Sequence, residues 1–230
     1  GKEELAYSPT YYPNLTDVTT PPQVVVEHGR TASMIDISMA ADTAVRIAGR
    51  VIGASGAGAL TVRLSHRGLG PAAAVAARSV RVKLPDGAFE FVAPGSNSYE
   101  LRLIDSSAGE RQLGPAVPID VGRRSIQGIF LEVSPPRDVS GVVSVKGQNS
   151  ESVKGARVVL EPLDGFTGAP QTAEVGEDGA FTFTSLAPDR YFVRLMGRPG
   201  AAFLESVRFG SDEETEAGIA LGNSAGALEL

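Results

Sequence analysis

The chain has 230 residues, 42% of them hydrophobic, and its 21 Lys and Arg against 27 Asp and Glu give a formal net charge of −6. That length suits two domains of roughly 100 residues, each able to bury a core. The acidic balance lacks the clustered basic face of a nucleic-acid binder, no run of about 18 apolar residues could cross a membrane, and the absence of Cys excludes disulfides, thiolate metal sites and a Cys nucleophile.

In chain order, the polar start Gly1-Lys2-Glu3-Glu4 shows no signal peptide, and a mature or excised secreted segment would look the same. Tyr7, Tyr11 and Tyr12 follow with Pro9 and Pro13, a set that could stack on sugar, dock on a partner or anchor the tail to its own domain. Asn14-Leu15-Thr16 is an N-glycosylation sequon. Two apolar stretches come next, Val24-Val25-Val26-Glu27-His28-Gly29-Arg30 and Ile35-Asp36-Ile37-Ser38-Met39. Strands are then predicted at Val45–Ile52, Leu60–Ser65, Val80–Leu84, Ala88–Val92, Tyr99–Ile104, Ala116–Val121 and Ile126–Val133. A second series is predicted at Val139–Val145, Ala156–Glu161, Ala173–Val175, Ala180–Thr184, Tyr191–Leu195, Phe203–Phe209 and Gly218–Leu221. Only Pro71–Arg78 is helix-like, and its counterpart Gly165–Thr172 reads as a loop.

Asp-Gly-Ala-Phe occurs at Asp86–Phe89 and again at Asp178–Phe181, 92 residues on. The alternation around it puts Phe89, Phe91, Tyr99, Leu101 and Leu103 on one face, with Glu90, Glu100 and Arg102 on the other. The second copy sets Phe181, Phe183, Tyr191, Val193 and Leu195 inward, with Thr182 and Arg194 outward. So long a period means duplicated domains. Asp-Gly is turn chemistry, which predicts a hairpin of Val80–Leu84 with Ala88–Val92, and another of Ala173–Val175 with Ala180–Thr184. About seven short strands per repeat predict an all-β chain of two tandem antiparallel Ig-like or prealbumin-like β-sandwiches.

The first repeat ends on Val117–Arg123 and Ile129–Val133, and the second is matched to it through Val207–Gly210 and Ile219–Leu221. Val24–Arg30 with Ile35–Met39 echoes the same ending without a beginning, while Ala227–Leu230 resembles the opening strands Val45–Val51 and Val139–Val145. The expected organisation is therefore 1–42 as tail and orphan strands, 43–135 and 136–230 as sandwiches, and 223–230 as the first strand of a following domain. Orphan strands carry unpaired backbone groups. Either the chain is a fragment or processed segment of a longer array, or the N-terminal strands fold back onto Ser33–Val51, or they complete a neighbouring subunit by strand addition. Val24, Val25, Val26, Ile35 and Ile37 are the candidate assembly residues.

The second repeat, through Gly141-Val142-Val143, Gly155–Leu160, Asp178–Phe183, Ala187-Pro188 and Tyr191, resembles the carboxypeptidase regulatory-like domains, prealbumin-like sandwiches related in shape to the Cna B-type repeats of surface adhesins. Asp189 stands where that family has Gly. In the first repeat Tyr99 follows Pro94-Gly95 two residues late, and the Gly-Ala strand at Gly58–Leu64 is degenerate. The resemblance implies non-catalytic modules of bacterial secreted or surface proteins, and supplies no catalytic residues or cofactor. It also implies an intramolecular Lys–Asn isopeptide bond as a case to test, with Lys146 or Lys154 and Asn223 as the available pairing.

Other chemistry is thin. Gly222-Asn223-Ser224-Ala225-Gly226 has the spacing of a nucleophile elbow, but a strand-like stretch follows it and His28 and His66 both precede it, so a linker loop fits better. Gly53–Gly58 lacks the Lys-Ser/Thr of a phosphate loop. Two histidines without Cys make no zinc site, and each reads as an ordinary exposed residue. Oxygen ligands for calcium could come from Glu177 and Asp178, or from Asp212, Glu213, Glu214 and Glu216, though neither set has dedicated-loop spacing and solvated acidic turns account for both. The expected role is a non-catalytic structural and assembly module of an extracellular or cell-surface protein, self-associating or contacting neighbouring domains, as in a filament subunit. The alternative is a carbohydrate- or protein-binding module of a secreted enzyme or adhesin, with polysaccharide as partner.

Overall fold

The computed structural model describes residues 4–16, 22–54, 58–67, 76–107, 109–145, 153–163, 170–197, 204–215, 218–221 and 226–230. The fold is all-β, two tandem β-sandwiches. Compact packing divides the chain into Gly1–Arg102 with Val117–Leu131, and Leu103–Ala116 with Glu132–Leu230.

The first unit opens with β1 (Leu5–Tyr7), β2 (Ala41–Ile52), β3 (Leu60–His66), β4 (Arg78–Arg81), β5 (Ala88–Pro94) and β6 (Asn97–Asp105). After β7 (Arg111–Gln112), which falls in the second unit, come β8 (Val117–Val121) and β9 (Ile126–Glu132). One sheet is built on β2, which pairs with β1, β5 and β9; the other runs β4-β3-β6-β7, with β8 also on β6. Alternation sends Val45, Ile47, Phe89, Phe91, Tyr99 and Leu101 into the core, each at most 4% exposed, and Leu103 beyond the unit boundary is buried too. Burying a side chain of this size stabilises by about 1.5–3 kcal/mol. Phe89 and Phe91 meet edge to face at 6.3 Å. Tyr99 is fully enclosed because its hydroxyl donates to Pro94 O at 2.8 Å, so no polar atom is stranded.

The second unit contains β10 (Arg137–Val142), β11 (Arg157–Pro162), β12 (Gln171–Glu174), β13 (Ala180–Leu186) and β14 (Asp189–Met196). The short β15 (Arg208–Phe209), β16 (Asp212–Glu213), β17 (Ile219–Leu221) and β18 (Leu228–Glu229) complete it. Sheets ordered β13-β10-β18-β15-β16 and β12-β11-β14-β17 share a core that includes Val139, Val158, Leu160, Phe181, Phe183, Tyr191, Ile219 and Leu228. Tyr191 hydroxyl donates to Ala187 O at 2.8 Å, as Tyr99 does to its own turn.

The duplication is visible atom by atom. A methyl group on Gly49 would collide with Ile129 O and lie 2.6 Å from Phe89 Cζ and 2.9 Å from Ile129 Cβ. On Gly141 it would collide with Leu228 O and Phe181 Cζ and lie 2.9 Å from Leu228 Cβ. Both glycines let a closing strand and a Phe ring press against the opening strand.

Three sequence expectations are corrected. The Asp-Gly turns do not open into hairpin ladders: Lys83 N–H donates to Ala88 O and Gly176 N–H to Ala180 O, both at 2.8 Å, but beyond those turns β5 pairs with β2 and β13 with β10, while β4 pairs with β3 and β12 with β11. Each turn is an arch between the two sheets. Its glycine, at φ +70° in Gly87 and +80° in Gly179, sits on the opening strand, where Val51 N–H donates to Gly87 O and Val143 N–H to Gly179 O. Second, Leu228–Glu229 is the closing strand of the second sandwich, not the first strand of another domain. It lies parallel to β10 through Gly141↔Leu228, and Leu228 is fully buried. The counterpart of Tyr99↔Ile119 is Tyr191↔Ile219, so Ile129 matches Leu228 and the endings matched above were one strand out of step. Third, neither Val24–Arg30 nor Ile35–Met39 forms a strand; the N-terminal residues that pair with β2 are Leu5–Tyr7, on Ala41–Thr43.

Other departures are local. Phe203 and most of Pro71–Arg78 lie outside the described residues, and Arg78 already belongs to β4. Arg102, expected outward, is 4% exposed and holds Glu100 Oε1 through Nε at 2.8 Å and Nη2 at 2.7 Å. Asp189 is buried, and its Oδ2 accepts from Gln112 Nε2 at 3.2 Å within the second unit. That amide also donates to Pro188 O at 3.3 Å and to Gly114 O at 2.7 Å. Carboxylate in place of glycine thus anchors the Leu103–Ala116 segment.

Candidate functional site

The candidate site is the N-terminal segment and the groove beside it, all in the first unit. Residues 22–40 carry no strand. Val25 is 81% exposed and Met34 87%, and Val24, Val26, Ile35, Ile37 and Met39 are exposed as well. Scattered surface hydrophobics are ordinary, and these seven are instead gathered in sequence within residues 24–39. The five candidate assembly residues all fall in this set.

The groove encloses about 440 Å³ and is lined by Tyr7, Ser8, Pro9, Thr10, Ile37, Met39, His66, Ala76 and Arg78. After β1, Ser8 turns inward; its Oγ accepts from Asn97 Nδ2 at 3.2 Å, and Thr10 Oγ1 donates to Ser8 O at 3.0 Å. A tight turn then brings Tyr11 N–H to Leu15 O at 2.8 Å. Asn14 Oδ1 in that turn accepts from Ser38 N–H at 2.6 Å, which ties the stretch carrying Ile37 and Met39 to the turn. The sequon Asn14 is therefore exposed but already engaged through its side-chain oxygen.

On the opposite wall, His66 ends β3 and packs its ring on Tyr99 at 4.5 Å. Burial, then the charge of Arg78, lowers its pKa to about 4, so the ring is neutral at neutral pH. This corrects the expectation of an ordinary exposed histidine; His28 is exposed. Arg78 Nη1 donates to Val92 O at 2.8 Å. Among the described lining residues Arg78 carries the one charge at neutral pH, and none is a carboxylate. The groove offers hydroxyls, an aromatic face, apolar walls and a cation, a set suited to binding.

The calcium candidates are not brought together, and no three His, Asp or Glu side chains converge among the described residues. Glu177 pairs with Lys154, and Asp178 Oδ1 accepts from Ala180 N–H at 3.1 Å within its turn. Asp212 and Glu213 lie on β16, with Glu213 3.9 Å from Arg208, while Glu216 lies outside the described residues. Lys146, Asn223, most of Gly222–Gly226 and half of Gly53–Gly58 likewise lie outside the described residues. Lys154 is exposed in its ion pair with Glu177. Sequence reasoning did not find Glu214 as a structural group. Its Oε1 accepts from Val193 N–H at 2.8 Å, on β14 beyond the last residue paired to β17. Burial raises its pKa, opposed by that bond. Among the described residues no helix is long and apolar enough to cross a membrane.

No family model matches the chain, and no curated protein matches it. Among solved structures it is similar to a streptococcal ancillary pilin, at 13% identity and a TM-score of 0.37, covering 100% of this chain and 74% of that one. It is also similar to GBS52, the minor pilin of Streptococcus agalactiae, at 10% identity and a TM-score of 0.40, covering 81% of this chain and 93% of that one. The major pilin T-13 of Streptococcus pyogenes aligns at 8% identity with a TM-score of 0.30, over 81% of this chain and 94% of that one.

Proposed function

We propose that the chain is a non-catalytic structural and assembly module of an extracellular or cell-surface protein, whose segment 23–39 completes a neighbouring subunit or domain by strand addition. In this reading the two sandwiches, 43–135 and 136–230, are spacers of the carboxypeptidase regulatory-like kind, and residues 1–42 form the assembly arm. The observation that supports it is the run Val24-Val25-Val26, β-branched throughout and 41%, 81% and 59% exposed. Such residues favour a pleated, half-buried strand. Water on all three leaves their apolar surface uncovered, and addition to a sheet edge would cover it while pairing the backbone. The experiment is to compare the full chain with a variant lacking residues 23–39 by electron microscopy and native gels. Ordered filaments or ladders that need the segment support the proposal; identical behaviour of the two chains overturns it.

A second reading, a polysaccharide-binding module, is favoured by Tyr7, which is 50% exposed at a groove that also holds Ser8, Thr10, His66 and Arg78. An aromatic face with hydroxyls around it suits a sugar ring. Retention of a monomeric chain on a polysaccharide column, abolished by Tyr7→Ala, distinguishes this reading.

A further inference from the structure

We infer that the groove of the first unit receives Val24–Glu27 of a second copy of this chain. This rests on the strand-donation reading, narrows the donated part to Val24–Glu27, and adds the surface that accepts it, to which the receiving copy's own Ile37 and Met39 contribute. The two surfaces match in chemistry. The groove has apolar walls from Tyr7, Pro9, Ile37 and Met39 and one cation, Arg78. Its His66 is neutral, and no carboxylate is among the described lining residues. The segment presents three exposed valines followed directly by the carboxylate of Glu27. In an extended segment Val25 and Glu27 share one face, so seating Val25 removes apolar surface of both partners from water and sets the anion beside the groove's cation.

Two further observations favour this site. Glu27 is held by Arg30 at 3.1 Å, with side chains 70% and 78% exposed, respectively. A pair so open to solvent contributes little and exchanges readily for another cation. Arg78 is also the first residue of β4, the end strand of its sheet order, and the strand is largely exposed. The groove therefore adjoins a strand edge, the element to which an extended segment adds. Reciprocal exchange between two copies would close a two-fold pair, whereas one-way donation would build an open row.

The test is sedimentation of the full chain over a wide concentration range, with Val25→Asp, Arg78→Glu and the reversed pair Glu27→Arg with Arg78→Glu. The expected result is concentration-dependent association by the unaltered chain, weakened at least about tenfold by each single change and largely restored by the reversed pair. Restoration shows that Arg78→Glu acted on the contact and not on the fold. Association abolished by Val25→Asp but untouched by Arg78→Glu overturns the groove assignment and leaves strand donation standing. Failure of the reversed pair to restore association also overturns the groove assignment. A chain that stays monomeric throughout overturns both.

Discussion

Replacing Gly141 by Ala should strain the seat of the closing strand in the second sandwich. The added methyl would collide with Leu228 O and Phe181 Cζ and lie 2.9 Å from Leu228 Cβ, distances that backbone and ring cannot absorb without moving. Overpacking of this kind costs about 1–3 kcal/mol. If β18 instead peeled away, the loss would include the burial of Leu228, about 1.5–3 kcal/mol. It would also include the bonds Ser144 N–H to Leu230 O at 2.8 Å and Leu230 N–H to Val142 O at 3.0 Å, each worth about 1 kcal/mol. The smaller cost decides, so the strand and ring should shift in place. Removing a strand glycine returns about 0.5–1 kcal/mol, leaving a net loss of about 1 kcal/mol. In urea this lowers the unfolding midpoint by about 0.5 M for a slope near 2 kcal/mol per M. The control is Gly122→Ala, where nothing lies within 4 Å and the backbone is not left-handed; there the same change should be neutral or stabilise by about 0.4–1 kcal/mol. Urea unfolding followed by circular dichroism reads both, and a Gly141→Ala midpoint no lower than that of Gly122→Ala would refute the reasoning.

Three further outcomes are expected. Asp189→Gly removes a buried acceptor from Gln112 and should cost about 1–3 kcal/mol, seen as faster hydrogen exchange in Leu103–Ala116; unchanged exchange there would contradict the anchoring role. The folded chain binds a proton at His66 less readily than the unfolded chain, with a pKa of about 4 against 6.5. Stability is therefore intact above that window and falls as pH drops through it, and a melting series should show a shallower decline in His66→Gln. Glu214 is the opposite case, with its folded pKa raised above 4.5. Its contribution is full below that value and is lost as pH rises through the folded pKa, so Glu214→Gln, which keeps an acceptor for Val193 N–H, should flatten the melting curve there.

The face of each strand could be read from sequence because side-chain alternation is local: Phe89, Phe91, Tyr99 and Leu101 are buried as the pattern requires. Strand partners could not. Asp-Gly chemistry specifies a tight turn, but Gly87 and Gly179 accept from Val51 in β2 and from Val143 just past β10, nearly forty residues away in sequence. The endings misaligned because the repeats differ in length where it mattered: twenty residues separate Tyr99 from Ile119, but twenty-eight separate Tyr191 from Ile219. The extra length holds β15 and β16, whose Val207–Gly210 neighbourhood imitates a closing strand. The exposed valines were marked by their pattern alone. The groove was not, because Tyr7, Ile37, His66 and Arg78 come from separate stretches that only the fold brings together.

The paired glycines also constrain how the two halves can diverge. Gly49 stands forty residues before Phe89, and Gly141 forty before Phe181. In each half the missing methyl and the ring tip fill one shared volume, so neither position is free to drift alone. A side chain gained at the glycine strains the ring and the closing strand unless the ring is shortened with it. The two halves of this chain thus keep a common internal gauge while the stretches between Tyr99 and Ile119 and between Tyr191 and Ile219 differ in length.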